Sequence, residues 1–258
     1  MSGAFAGQVA VITGGAGGIG RALGKALEAA GAQVLLADLS GNDVFICDVT
    51  KPEDCVALAD EAWRRFGRVD LLINNAGIAG ANGRLASVAL AEAKRVFEVN
   101  FWGVWNGCAA LVPRLIAQAH PSAIYNVASE NALFCAMPRA AAYIASKHAV
   151  LGLTENLRED LPPHVHVGTI IPGWVATGIN PEPFRSQAMA ADEYAGIVLP
   201  QIAARERFVV SHASNVEPMG ERVRALESAY AAYAPRYPGD EKYDVRRYIQ
   251  QLKDARRG

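Results

Sequence analysis

Apolar residues fall into short unbroken runs, separated by longer stretches in which they recur every three or four positions. The runs are Val9–Thr13, Val34–Ala37, Val44–Cys47, Leu71–Asn74, Ala123–Val127, Val165–Ile171 and Phe208–Ser211. A strand with one wet face alternates apolar and polar side chains. Several of these runs are apolar at consecutive positions instead, which is how a strand covered on both faces of a parallel sheet reads. The helical stretches between them supply the crossovers, so the pattern predicts an α/β fold with a doubly wound parallel sheet.

The first helical stretch carries Ile19, Leu23, Ala26, Leu27 and Ala30 on one stripe, and Gly31 follows as a stop. Asp54 opens a second helical pattern that Gly67 closes. Past the seventh run, Glu221–Tyr233 and Tyr243–Arg256 read as helices joined by the turn-rich Pro235–Asp240. The expected organisation is one domain over residues 1–258, with 212–258 as a helical extension. That extension reads either as a packing or oligomer element or as a lid over the substrate.

Composition narrows the function. With 51% hydrophobic and 20% charged residues, the chain of 258 residues cannot be disordered. Its 25 basic and 26 acidic residues leave a net charge of −1 and no basic field, so a nucleic-acid partner is not expected. Cys47, Cys55, Cys108 and Cys135 form no C-x-x-C pair and read as reduced thiols of a cytoplasmic protein. Met1–Gly7 has no secretory pattern. The most apolar stretch, Phe97–Ala119, holds Glu98, Asn100, Asn106, Pro113 and Arg114, so a buried helix is expected there and no membrane partner. His164 and His166 have no Cys or carboxylate to complete a metal set, and no metal is expected.

Val9–Ile12 runs directly into Thr13-Gly14-Gly15-Ala16-Gly17-Gly18-Ile19-Gly20 and then into the first helix. Glycines let the backbone turn sharply against a pyrophosphate, and the helix start supplies free N–H groups. This strand–loop–helix order predicts a Rossmann-type dinucleotide site. The second strand ends in Asp38, about 20 residues on, where an acid accepts from a ribose hydroxyl and repels a 2′-phosphate. With no Lys or Arg in Thr13–Gly20, NAD is the expected cofactor rather than NADP. Asp38 as an ordinary turn acid is the alternative.

The chain resembles the short-chain dehydrogenase/reductase family over about residues 7–211. Thr13, Gly14, Gly18 and Gly20 match T-G-x-x-x-G-x-G. Asn74-Asn75-Ala76-Gly77 matches N-N-A-G, Tyr143–Lys147 matches Y-x-x-x-K, and Pro172–Thr177 matches P-G-x-x-x-T. Asn100 and Ser129 stand where the family carries a catalytic Asn and Ser.

Tyr143 and Lys147 lie four apart on one helix face. A nearby ammonium favours the phenolate and lowers the tyrosine pKa, an oxidised nicotinamide would add positive charge, and Tyr143 is then expected to serve as general acid/base. Ser129 would donate to the substrate oxygen. The resemblance implies that Asn100 holds a water linking Lys147 to solvent. It also implies cofactor contacts at Gly14, Gly18, Ile19 and Gly20, at Asp38 and Leu39, and at Asp48 and Val49 beside the adenine. Asn75, Ala76 and Gly77 would flank the ribose. Pro172, Gly173, Val175 and Thr177 would frame the nicotinamide, with Tyr143 and Lys147 beside it.

The sequence departs from the family pattern in two places. Only nine residues separate Asp38 from Asp48, which predicts that a crossover helix is missing and the adenine side open. Thirteen residues separate Ser129 from Tyr143, one more than is usual, and the extra length falls in Glu130–Pro138 at the expected substrate mouth. Glu130 either holds a polar substrate group or stays solvated or ion-paired. Phe134 and Trp174 are further substrate candidates, among apolar residues that include Leu133, Met137, Ile179, Phe184 and Met189. Gly178–Tyr194 reads as a mobile flap.

The expected function is interconversion of a secondary alcohol and its ketone, with a hydrophobic and possibly aryl substrate. A ketoacyl-type biosynthetic reductase and a non-catalytic NAD-binding redox sensor are the alternatives. The resemblance implies a homodimer or homotetramer built on the Phe101–Leu115 and Tyr143–Leu157 helices.

Overall fold

The computed structural model describes residues 3–234 and 236–255, so Met1, Pro235 and Arg256 lie outside the described residues. Seven strands, all parallel, form one sheet in the order β3-β2-β1-β4-β5-β6-β7. They are β1 (Val9–Thr13), β2 (Gln33–Asp38), β3 (Phe45–Ile46), β4 (Leu71–Asn74), β5 (Ser122–Val127), β6 (Val165–Ile171) and β7 (Phe208–Val210). The helices are α1 (Gly18–Ala29), α2 (Pro52–Phe66), α3 (Leu90–Phe97), α4 (Gly103–Ala117), α5 (Ala141–Asp160), α6 (Phe184–Gln187), α7 (Ala191–Ala203), α8 (Val216–Tyr233) and α9 (Val245–Ala255).

Alternate residues of each central strand enter opposite cores. Ala10 and Ile12 of β1 join Leu71 and Ile73 of β4 on the face carrying α1 and α7. Val9, Val11 and Leu72 join the other core, with α2, α4 and α5. Both faces are dry, which is why the strands are apolar at consecutive positions. The strand order reverses between β1 and β4, and ligands of open α/β sheets bind at the carboxyl ends beside such a switch point.

No helix occupies residues 39–44 between β2 and β3, as the short spacing predicts. Parallel neighbours normally need a crossover of about a dozen residues. Here β3 is reduced to two residues on the sheet edge, with Ile46 60% and Leu39 64% exposed where a crossover helix would cover them.

Two further expectations need correction. The Phe97–Ala119 stretch is only partly buried: a π-turn at Glu98–Trp102 precedes α4, and Trp102 and Trp105 stand 43% and 47% exposed. The flap does not reach Tyr194, which is fully buried in α7, and Met189 is already pinned by a bridge to Val175. The chain forms two compact units, one ending at Asn215 and one starting at Val216. Residues 212–215, placed in the extension from sequence, belong to the first. Among the described residues no helix is long and apolar enough to cross a membrane.

Candidate active site

The loop from β1 to α1 has the form of an anion cradle. Gly14 (φ +65°) and Gly18 (φ +53°) adopt left-handed backbone that side chains rarely take. A Cβ on Gly14 would lie 2.8 Å from Ala76 Cα, and one on Gly20 would meet the Gly14 carbonyl. Gly17 caps α1 with no side-chain hydrogen bond, and the first turn holds no acid. The N-terminal N–H groups therefore face no protein anion, and a Cβ on Gly17 would meet open space. This cradle fits a dinucleotide pyrophosphate. Ile19, half-buried, faces the core behind it.

Asp38 ends β2 beside the loop. One carboxylate oxygen accepts from Ala16 N–H (2.9 Å) and the other from Leu39 N–H (2.7 Å). Each oxygen keeps a lone pair for a ribose hydroxyl. Asn75 is a brace here: its amide donates to the Thr13 and Gly14 carbonyls (2.8 and 3.1 Å). Thr13 Oγ1 in turn accepts from Asn75 and Ala76 N–H (3.0 and 3.1 Å). Asp48 spends one oxygen on the Thr50 N–H and hydroxyl (3.0 and 2.7 Å). The Val49 side chain packs into the core.

The reacting groups come from β5 and α5. Ser129 follows β5, is buried, and stands beside the Tyr143 hydroxyl, whose ionised form it favours. Its Oγ accepts from Asn131 N–H (3.2 Å). Tyr143 does not have the lowered pKa expected from its lysine neighbour. Burial pushes its hydroxyl up, Ser129 pulls the other way, and nearby Glu130 raises it further. The physical reason is where Lys147 points. Its Nζ donates to the Val127 carbonyl (2.9 Å) and lies 5.8 Å from the Tyr143 ring centroid. Lys147 is itself buried, and burial lowers its pKa to about 8. A bound oxidised nicotinamide would supply the hydride acceptor and a positive charge favouring the phenolate.

Asn100 lies buried in the π-turn, a feature frequent at functional sites. Its Oδ1 accepts from Ile78 N–H (2.8 Å), and its Nδ2 donates to the Ile78 carbonyl (2.9 Å) and Ser146 Oγ (3.0 Å). The side chain thus clamps the 77–78 backbone and leaves no free donor for a water. A Cβ on Gly77 would lie 3.3 Å from Asn100 Oδ1 and 3.5 Å from Lys147 Nζ, so both groups converge on this glycine.

After β6, the Pro172 carbonyl accepts from Glu130 N–H (2.8 Å) and ties the two loops together. Val175 is buried, and the Thr177 side chain sits 3.2 Å from where a Gly18 Cβ would be. Trp174 is 42% exposed with its ring centroid 6.5 Å from that of Phe184. Phe134 is half-buried in the Glu130–Pro138 loop, which Asn131 Oδ1 holds by accepting from Ala136 and Met137 N–H (3.1 Å each).

Two residues escaped the sequence reading. His212 follows β7, and its ring fills the space beside Gly173, where a Cβ would come within 2.5 Å of it. Asn215 and His212 both act on the Glu130 carboxyl, each favouring its ionised form. No motif marks either residue. An apolar groove of about 390 Å³ also lies along the first turn of α5, lined by Leu85, Val88, Leu90, Phe97, Ala142 and Ala145.

A dinucleotide cradle beside a Ser–Tyr–Lys constellation defines a nicotinamide-dependent oxidoreductase. The model of the short chain dehydrogenase family matches residues 8–188, and the chain belongs to that family. It is 38% identical over 188 residues to 1-deoxy-11-beta-hydroxypentalenate dehydrogenase of Streptomyces avermitilis, covering 66% of this chain and 69% of that protein. It is 34% identical over 184 residues to a borneol dehydrogenase of Lavandula x intermedia, covering 66% and 70%. A short-chain dehydrogenase/reductase from Burkholderia phymatum, solved in complex with NAD, superposes with a TM-score of 0.80 at 30% identity, covering 92% of this chain and 98% of that one.

Proposed function

We propose that this chain is a cytoplasmic NAD-dependent dehydrogenase that interconverts a secondary alcohol of largely hydrophobic body and its ketone. The observation that carries the reading is the grouping of Ser129 beside Tyr143 with the Lys147 ammonium 5.8 Å from the tyrosine ring centroid. In the oxidative direction, Tyr143 Oη takes the proton of the substrate hydroxyl while the carbinol carbon gives up hydride. Ser129 holds the oxygen as its charge changes. Asp38 supports NAD over NADP, because a 2′-phosphate would bring negative charge to its carboxylate. Exposed Trp174 and Phe184 offer apolar surface near the substrate side. The relatives that act on a hydroxypentalenate and on borneol support a hydroxylated, largely apolar substrate.

The test is nicotinamide absorbance with NAD⁺ and a panel of aliphatic, cyclic and benzylic secondary alcohols, with Tyr143→Phe beside the wild type. Turnover that disappears in the variant is expected. Turnover that survives Tyr143→Phe would sink this reading.

We also read the chain as a homodimer or homotetramer through α4 and α5. The aromatic surface of Trp102 and Trp105 on the start of α4, rings 5.8 Å apart, supports it. Light scattering should report more than one chain, and Trp102→Glu should lower the mass toward a single chain.

A further inference from the structure

Ionised or neutral, a half-buried carboxyl beside a reacting hydroxyl needs partners. Glu130 occupies that position: it neighbours Tyr143 electrostatically, and its backbone is anchored to Pro172. Among the described residues no Lys or Arg stands by it to neutralise it. Its backbone N–H donates to the Pro172 carbonyl (2.8 Å) while the His212 ring packs on the next residue, Gly173, and both His212 and Asn215 favour its ionised form. Glu130 is thus not fully solvated, and the basic neighbour beside it is an imidazole.

The grouping is held rigidly. His212 Nδ1 lies 2.7 Å from Ser211 Oγ, and Asn215 N–H donates to the His212 carbonyl (3.2 Å). The ring also packs on Gly173, a position of the nicotinamide motif. Two segments distant in sequence, packed on Pro172 and Gly173, thus bring a carboxyl together with an imidazole and an amide.

We infer that Glu130, His212 and Asn215 form a polar subsite for a second hydroxyl on the substrate, close to the carbinol that reacts. The inference rests on the dehydrogenase reading above and narrows its substrate class to vicinal diols and the matching hydroxy ketones. Glu130 has acceptor capacity left after Asn215 is served, and a hydroxyl donates one hydrogen bond while accepting another from the imidazole. A site with such groups discriminates against an analogue lacking the hydroxyl, because the analogue leaves the spare acceptor of the half-buried carboxyl and the imidazole unmet. Burial holds the Glu130 carboxyl above the usual range, and Asn215 opposes this. In either protonation state at least one oxygen accepts.

The test compares kcat/KM for matched pairs: cyclohexanol against its vicinal diols, and the secondary phenylethanol against phenyl glycol. Each is measured with wild type, Glu130→Gln and Glu130→Leu, and NADH binding is followed by fluorescence. In the wild type the diol should exceed the monoalcohol by about tenfold or more. That ratio should shrink in Glu130→Gln, which retains an acceptor, and vanish in Glu130→Leu. A ratio near one in the wild type, or one unmoved in both variants, overturns the subsite and leaves the dehydrogenase reading standing. A cationic amino alcohol preferred over the diol overturns hydroxyl as the ligand. If the wild type oxidises none of them and reduces none of the ketones while binding NADH, the dehydrogenase reading falls and the subsite with it.

Discussion

The cradle between β1 and α1 takes its glycines and its uncapped helix start from eight consecutive residues, Thr13–Gly20. The substrate side draws Ser129 and Glu130, Tyr143, Gly173, and His212 with Asn215 from four separate segments. In the first region, local backbone physics makes the site: positive φ at Gly14 and Gly18, then a helix start with free donors. In the second, only packing of the loops beyond β5, β6 and β7 brings the groups together. A site made of neighbours in sequence is legible as a motif, and a site made by convergence is not.

The sharpest way to break this comparison is to remove the one atom on the substrate side that chemistry requires. Tyr143→Phe should lower kcat/KM by about 10²- to 10⁴-fold while NADH still binds. A matching loss of NADH affinity would mean the two regions are not separable.

The reverse experiment is Gly14→Ala, which forces a side chain into φ +65° and against Ala76. A strain of about 1–3 kcal/mol should weaken NADH binding roughly ten- to a hundredfold. Binding titration and thermal unfolding together separate this from misfolding. Asp38→Asn keeps the shape but loses the charge and one backbone acceptor. The preference for NADH over NADPH should narrow by about tenfold, read from the two dissociation constants. An unchanged ratio would assign Asp38 to bracing Ala16 and Leu39 alone.

The smallest effect sharpens the coupling between the regions. Burial and Glu130 hold the Tyr143 hydroxyl above its ordinary pKa, opposed by the neighbouring Ser129, and Lys147 is itself pushed toward neutrality. A raised hydroxyl stays protonated over a wider range. Alcohol oxidation should therefore climb only in the alkaline range, while ketone reduction holds through neutrality and falls over that same alkaline range. Glu130→Gln removes a negative neighbour, which favours the phenolate, so the alkaline limb should move to lower pH. A limb that stays in place would show that the carboxyl does not act on Tyr143.

Strand positions were readable because every central strand is dry on both faces, and the missing helix after β2 because nine residues cannot hold a crossover helix. The roles of individual residues were less readable. Asn75 and Asn100 carry motif identities, yet their amides are taken by backbone groups of Thr13, Gly14 and Ile78. A motif names the residue but not its hydrogen-bond partners. Lys147 was expected to lower Tyr143, but spacing on a helix says nothing of burial or of the Val127 carbonyl that receives the ammonium.

What the chain's order alone determined is the alternation of strand and helix, the dinucleotide loop and the Tyr143–Lys147 face. Each depends on residues within a few positions of one another, where steric and periodic rules act directly. What only the tertiary structure decided is the protonation balance at Tyr143 and the company of Glu130. Those depend on desolvation and on His212 and Asn215, more than 80 residues away, and so exist only once the sheet has brought its strand ends together.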